Sequence, residues 1–122
     1  MIVDDCVEIL GSWGDLLALK GYQVFTACNG KDALKILNSN CIDIVITDIL
    51  MPEMDGCELI TTIRSRGIAT QIIAISAGSG ALDHKSLLEI ATMLEVDYTL
   101  PKPFHIEDLE TAIQYVVNQK NN

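Results

Sequence analysis

Residues 42–48 read Ile-Asp-Ile-Val-Ile-Thr-Asp, and Ile42–Thr47 is predicted to be a strand that is buried on both faces. Most of its residues are apolar and β-branched, and the buried strands of parallel sheets read as nearly continuous runs of this kind. A second such run follows at Gln71–Ser76 and contains three isoleucines. Two runs of this type in one chain indicate a parallel β-sheet.

Three weaker strand candidates and five helical patterns surround these two runs. The further strands are predicted at Met1–Asp4, Tyr22–Ala27 and Asp97–Leu100. The helices are predicted at Glu8–Leu19, Gly30–Asn38, Cys57–Arg64, Ser86–Leu94 and Ile106–Val117, and the polar residues Asn118–Asn122 are expected to fray. Strands and helices alternate with short connections, so the fold class is α/β, with a doubly wound five-stranded parallel sheet. Met1–Asp4 is short for a central strand, so either this strand is short or the natural chain continues upstream.

Length and charge restrict the class of protein. The chain has 122 residues with no linker or repeat, which predicts a single domain over residues 1–122. Seventeen acidic residues against eight basic ones give a net charge of −9, which argues against direct binding of nucleic acid. No apolar run approaches the roughly 20 residues of a membrane span, and residues 1–5 do not resemble a signal peptide.

The four cysteines, Cys6, Cys28, Cys41 and Cys57, show no metal-binding spacing with each other or with the two histidines. We interpret them as thiols in a reducing compartment, which predicts a cytoplasmic protein.

Charged and hydroxyl side chains follow four of the predicted strands. Asp4 and Asp5 follow the first strand, Asp48 the third, Ser76 ends the fourth, and Lys102 follows the fifth. Each residue alone has an ordinary explanation, such as a helix cap, a turn or a solvated lysine. In an open α/β sheet, however, all of these positions share the edge where ligands bind.

A cluster of carboxylates at that edge calls for a cation. Two carboxylates about 5 Å apart repel each other by roughly 3 kcal/mol at an effective dielectric constant near 20. Mg²⁺ relieves such repulsion, because it binds one or two protein carboxylates together with waters and a phosphate. A lysine ammonium beside these acids suits a phosphoryl oxygen.

Four stretches of the chain resemble the receiver domains of bacterial two-component response regulators. They are Val3-Asp4-Asp5, residues 48–56 (Asp-Ile-Leu-Met-Pro-Glu-Met-Asp-Gly), Ala74-Ile75-Ser76-Ala77 and Lys102-Pro103-Phe104. They occur in the order and spacing of that family across nearly the whole chain. The resemblance implies a flavodoxin-like (βα)5 fold of CheY-like type, with strand order 2-1-3-4-5.

The resemblance also implies a phosphoacceptor and a Mg²⁺ site. Asp48 would accept the phosphoryl group, and Asp5, Asp48 and the backbone carbonyl of Leu50 would be metal ligands. Asp4 would act on the metal mainly through water. The domain would catalyse its own phosphorylation and a slow autodephosphorylation, without being an enzyme in the usual sense.

The remaining site residues concern the phosphoryl group and the switch. Ser76 and Lys102 would bind phosphoryl oxygens, and Ser76 would reorient on activation; the Lys102–Pro103 bond would be cis. Family members often carry an aromatic switch residue three positions before the lysine. Here Thr99 occupies that position and Tyr98 precedes it, and neighbouring strand residues face opposite ways. Tyr98 is therefore not an automatic substitute for the aromatic switch residue, and rotation of an aromatic ring is not predicted as part of the switch.

The implied partners are a sensor histidine kinase or a histidine phosphotransfer domain as donor. An output domain or protein, or a second receiver, would read the face of the fourth helix, fifth strand and fifth helix.

Three other functions compete with this one. A pseudo-receiver would use the fold as an interaction module without phosphorylation, although the acidic set with Ser76 and Lys102 is complete. A flavodoxin-like cofactor binder would need a phosphate-binding loop where Asp4 and Asp5 stand. A phosphatase with an aspartyl nucleophile usually has a second acid where this chain has Leu50.

Overall fold

The computed structural model describes residues 1–49, 56–76, 95–102 and 104–120, with the backbone alone for Ser76 and Lys120. Within this part of the chain, five strands form one parallel sheet in the order β2-β1-β3-β4-β5. The strands are β1 (Ile2–Val3), β2 (Thr26–Ala27), β3 (Ile44–Asp48), β4 (Gln71–Ser76) and β5 (Tyr98–Pro101). The predicted fold class and strand order are confirmed.

The two strands at one side of the sheet are shorter than predicted. Instead of Tyr22–Ala27, only Thr26–Ala27 is strand, because its neighbour β1 has only two residues with which to pair. β1 itself lies between β2 and β3, and the backbone of Met1 continues its pairing with β3. The Met1 amino group donates to the carbonyl of Ile44 at 2.7 Å, and the Met1 carbonyl accepts from the amide of Ile46 at 2.8 Å.

Four helices are described, and they begin and end close to the predicted residues. They are α1 (Val7–Leu19), α2 (Gly30–Ser39), α3 (Gly56–Ser65) and the C-terminal helix (Ile106–Lys120). The Asn29 side chain caps α2 by accepting from the amide of Asp32 at 2.8 Å. The C-terminal helix continues to Lys120, so the expected fraying of residues 118–120 is wrong. The predicted helix Ser86–Leu94 lies outside the described residues.

Apolar side chains of the sheet point alternately to two separate core layers. Val45 and Ile72 pack in one layer, and Ile46 and Ile73 pack in the other. The first layer includes residues of α2 and α3, and the second includes residues of α1 and the C-terminal helix. The sheet is therefore covered on both faces, as the uninterrupted apolar runs of β3 and β4 predicted. No helix of the described residues is long and apolar enough to cross a bilayer.

Candidate functional site

The carboxyl ends of β1, β3 and β5 bring an acidic pair, a single acid and a lysine to the same edge of the sheet. Asp4 and Asp5 follow β1, Asp48 is the last residue of β3, and Lys102 follows β5. The backbone of Ser76 ends β4 and pairs with Pro101. The polar and charged residues at the carboxyl ends of these strands therefore lie at one edge, as expected for an open parallel sheet.

Lys102 and Asp48 form the central contact of this edge. The Lys102 ammonium donates to Oδ2 of Asp48 at 2.8 Å, and the Asp48 side chain is only 8% exposed. Burial alone would lower the pKa of Lys102. The hydrogen bond to Asp48 and the charges of Asp48, Asp4 and Asp5 outweigh this effect and raise the pKa above its usual value. The ammonium is therefore held in its charged form beside Asp48.

Asp4 is a buried carboxylate at the start of α1. Its Oδ1 accepts a hydrogen bond from the amide of Cys6 at 2.9 Å, and only 2% of the residue is exposed. Burial raises the pKa of Asp4, and the charge of Asp48 and the adjacent carboxyl of Asp5 raise it further; the Cys6 amide and the charge of Lys102 oppose them. Burial is thus the main cause that destabilises the ionised form of Asp4, and the charge of Asp48 adds to it.

Two buried oxygen atoms of these acids have no hydrogen-bond partner among the described residues, namely Oδ2 of Asp4 and Oδ1 of Asp48. Leaving a buried acceptor unsatisfied costs about 1–3 kcal/mol. Among the described residues, no group of three or more His, Cys, Asp or Glu side chains is arranged so that it could hold a metal ion by itself. This donor set fits Mg²⁺, which takes one or two carboxylates and keeps waters and phosphate oxygens as its other ligands.

Gly56 is a residue of this edge whose role the sequence reasoning missed. Its amide donates to the carbonyl of Ile49 at 2.9 Å, which brings the start of α3 against the end of β3. A Cβ atom at this position would overlap the carbonyl oxygen of Asp48. The sequence signal was a glycine directly before a predicted helix, eight residues after the acid.

The remaining predicted site residues are only partly described. Leu50, Pro103 and the side chain of Ser76 lie outside the described residues, so the metal-ligand and cis-peptide predictions there stay predictions. Tyr98 packs against Tyr115 of the C-terminal helix, with ring centroids 5.3 Å apart. Thr99 is half-buried on the same strand.

A family model described as the response regulator receiver domain matches residues 1–114. The chain belongs to the response regulator receiver family. The receiver fold also appears in a CheY-like receiver domain protein of Methanospirillum hungatei JF-1. Its crystal structure matches with a TM-score of 0.86 and 24% identity, over 98% of this chain and 93% of that one.

Two relatives carry a similar sequence within longer proteins. The probable transcriptional regulator ycf27 of Cyanidium caldarium is 38% identical over 119 residues, which are 98% of this chain and 46% of that protein. The sensor histidine kinase RcsC of Salmonella typhi is 34% identical over 113 residues, which are 93% of this chain and 12% of that protein. This receiver domain therefore spans less than half the length of either relative.

Proposed function

We propose that Asp48 accepts a phosphoryl group from a phosphohistidine of a sensor histidine kinase or a histidine phosphotransfer domain, in a reaction that needs Mg²⁺. The observation that carries the proposal is the contact of Lys102 with Asp48 beside the unpartnered buried oxygens of Asp48 and Asp4. In the described part of the chain, Asp48 is held by the ammonium of Lys102 while one buried oxygen of each acid lacks a partner, an arrangement suited to taking a phosphate together with a cation.

The transfer forms one bond and breaks another. A carboxylate oxygen of Asp48 attacks phosphorus, the P–N bond of the phosphohistidine breaks, and its electron pair returns to the imidazole nitrogen. The product is an aspartyl phosphate on this chain and a free histidine on the donor. Mg²⁺, when bound, offsets the negative charge of the transferred group.

Each residue of the edge has a separate task in this mechanism. Lys102 neutralises part of the charge on Asp48 before transfer and moves to a phosphoryl oxygen afterwards. Asp5, Asp48 and the backbone carbonyl of Leu50 would hold the cation directly, and Asp4 would act on it mainly through water. Ser76 donates to a phosphoryl oxygen, and its movement begins the switch. The candidate switch positions Thr99 and Tyr98 lie on the adjacent strand β5, where they pair with Ala74 and Ile73.

The domain transfers the signal rather than turning over a substrate. We infer that residues 1–122 form a single receiver domain that stops at one phosphoryl group and loses it slowly. Its output partner, or a second receiver, reads the surface of β5 and the C-terminal helix; the fourth helix, predicted at Ser86–Leu94 as part of the same face, lies outside the described residues. The net charge of −9 favours a protein partner over nucleic acid. We infer a cytoplasmic location.

Intact-mass measurement after incubation with acetyl phosphate tests the proposal. The wild type and Asp15→Asn, which changes an exposed acid of α1, should each gain one phosphoryl group with Mg²⁺ and none with EDTA. Asp48→Asn should gain none. A gain that persists in Asp48→Asn, or that ignores EDTA, would overturn the proposal. No gain from acetyl phosphate or from a phosphohistidine donor would also overturn it, and would favour the pseudo-receiver.

A further inference from the structure

Trp13, the sole tryptophan of the chain, contacts an aromatic ring on a segment that belongs to the site. Its ring centroid lies 5.1 Å from that of Phe104, with the ring planes tilted by 41°. This geometry is typical of favourable aromatic pairs. Both side chains are half-buried against the core layer of α1 and the C-terminal helix, so the contact is anchored on both sides.

The aromatic contact joins the two chain segments that carry opposite charges at the site. Phe104 follows Lys102 by two residues. Trp13 lies on α1, and this helix begins after Asp4, whose carboxylate accepts from the amide of its N-cap residue, Cys6. The ring contact therefore ties the segment of the lysine to the helix that starts at the acidic pair.

Lys102 depends on support from outside its own side chain. Its long side chain has many rotamers, is 31% exposed and reaches Asp48 through one hydrogen bond in the described part of the chain. On one side its backbone is held by β5, where Leu100 pairs with Ile75 of β4. On the other side, Phe104 packs against Trp13 and against the core layer of α1 and the C-terminal helix.

We propose that Trp13 is a positioning residue for phosphoryl transfer, which holds the segment of Lys102 through Phe104 so that the ammonium reaches Asp48. The inference rests on the proposed function of Asp48. Small displacements of a charge-stabilising group are costly, since an error of about 1 Å can slow a reaction about 100-fold. Trp13 touches neither phosphate nor metal and acts only through placement.

The first experiment measures the rate of aspartyl phosphate formation from acetyl phosphate at saturating Mg²⁺, well below the melting temperature. Trp13→Ala should lower this rate by roughly 10- to 100-fold, and Trp13→Phe should restore it to within about threefold of the wild type. The affinity for Mg²⁺, measured by calorimetry, should stay within about threefold in both variants. Phe104→Leu keeps apolar bulk and should slow transfer as well, which provides a second variant if Trp13→Ala fails to fold.

Tyr22→Ala is the matched control. Tyr22 is half-buried against the same core layer, and its hydroxyl accepts from Gln114 at 3.0 Å. It lies on the segment before β2, away from the carboxyl ends of the strands where the site is. This variant should lose stability and keep the wild-type rate. A Trp13→Ala protein that is folded and reacts at the wild-type rate, or is slowed no more than Tyr22→Ala, would overturn the positioning role.

A second readout does not depend on phosphoryl transfer. Reaction of the lysine amines with an acylating reagent, followed by peptide mass spectrometry, should show faster labelling of Lys102 in Trp13→Ala, with Lys20 and Lys35 unchanged. If the wild type accepts no phosphoryl group, the proposed function fails, and this labelling decides the positioning role alone. Equal labelling of Lys102 in wild type and Trp13→Ala would refute it.

Discussion

Gly56 lies so close to Asp48 that a Cβ atom at position 56 would overlap the Asp48 carbonyl oxygen and stand 2.7 Å from Cα of Ile49. These obstacles are backbone atoms, so no side-chain rotation relieves the overlap. The backbone that presents the proposed phosphoacceptor therefore requires a glycine as its neighbour.

Gly56→Ala is expected to destabilise the domain by about 1–3 kcal/mol, since overpacking of a filled site costs about that much. It should also slow phosphorylation by more than about tenfold, because the end of β3 must shift. Urea unfolding and the acetyl phosphate reaction measure the two effects. The control is Gly11→Ala in α1, where a Cβ meets nothing within 4 Å and should stabilise by roughly 0.5–1 kcal/mol. Equal stability of Gly56→Ala and the wild type would contradict the steric argument.

Asp4→Asn should stabilise the metal-free domain. The pKa of Asp4 is raised, so its ionised form is less stable in the folded chain than in the unfolded one. The free energy of unfolding therefore falls as the pH rises from the usual pKa of an aspartate to the raised pKa of Asp4. Asparagine keeps an oxygen for the Cys6 amide and removes the charge. We expect a gain of about 1 kcal/mol at neutral pH in EDTA, within the range for an unsatisfied buried acceptor.

The same variant should lose the response to Mg²⁺. Binding to the folded state alone raises the melting temperature of the wild type as Mg²⁺ is added. Asp4→Asn should show a much smaller rise, whereas Asp15→Asn should respond like the wild type. An Asp4→Asn protein that is less stable than the wild type in EDTA would show that its charge is compensated without metal.

The α-amino group of Met1 predicts a second pH dependence. Burial lowers its pKa from 8.0 to about 6, although the charge of Asp43 opposes this. At pH 7 the unfolded chain therefore binds more protons than the folded one, and stability should rise between about pH 6 and pH 8. The full contribution is roughly 2–3 kcal/mol, at 1.36 kcal/mol for each pKa unit. Urea unfolding across this range should show the slope, and N-terminal acetylation should remove it; an identical slope after acetylation would assign it to other groups.

Arg64 connects three segments at the opposite edge of the sheet. Its guanidinium donates to the carbonyls of Thr70 and Glu95 at 2.9 and 3.1 Å, and to the Asp97 carboxylate at 3.1 Å. Arg64→Lys keeps the charge but not the planar array of donors, so we expect a loss of about 1–3 kcal/mol.

The comparison for Arg64 is the ion pair of Lys20 with Glu110, at 3.0 Å on the surface. Lys20→Met should cost less than about 1 kcal/mol, because exposed pairs contribute little. Chemical denaturation of both variants at moderate salt makes the comparison. Losses of equal size would mean that the additional backbone hydrogen bonds of Arg64 are unimportant.

The central strands could be predicted from sequence because their apolar runs allow few alternatives. β4 has the predicted bounds, and β3 differs by two residues at its start and one at its end. Tyr22–Phe25 has similar strand composition but lies outside β2, since the two residues of β1 pair with Thr26 and Ala27, and Phe25 only accepts a hydrogen bond from the Ile2 amide at 2.9 Å. Propensity is a local property, whereas pairing depends on the neighbour.

The residues of the site likewise fall into those that the sequence could place and those that only the structure shows. Parallel topology placed Asp4, Asp48 and Lys102 at one edge, because the ends of strands are visible in the sequence. The close approach of Gly56 to the backbone of Asp48 and the contact of Trp13 with Phe104 arise from tertiary packing. No local sequence pattern predicts either of them. Arg64 and Asp97 are separated by 33 positions, and their pairing likewise needed the structure.

The ion pair of Lys102 with Asp48 spans 54 positions, and its cation directly follows the last strand of the sheet. A ribosome that has released only the first four strands has made every acid of the site and none of its lysine. The nascent chain therefore carries an acidic edge without its counter-charge until the fifth strand emerges. Competence for the proposed phosphoryl transfer then appears only once the fifth strand and Lys102 have been made, and a shorter nascent chain has no assembled site.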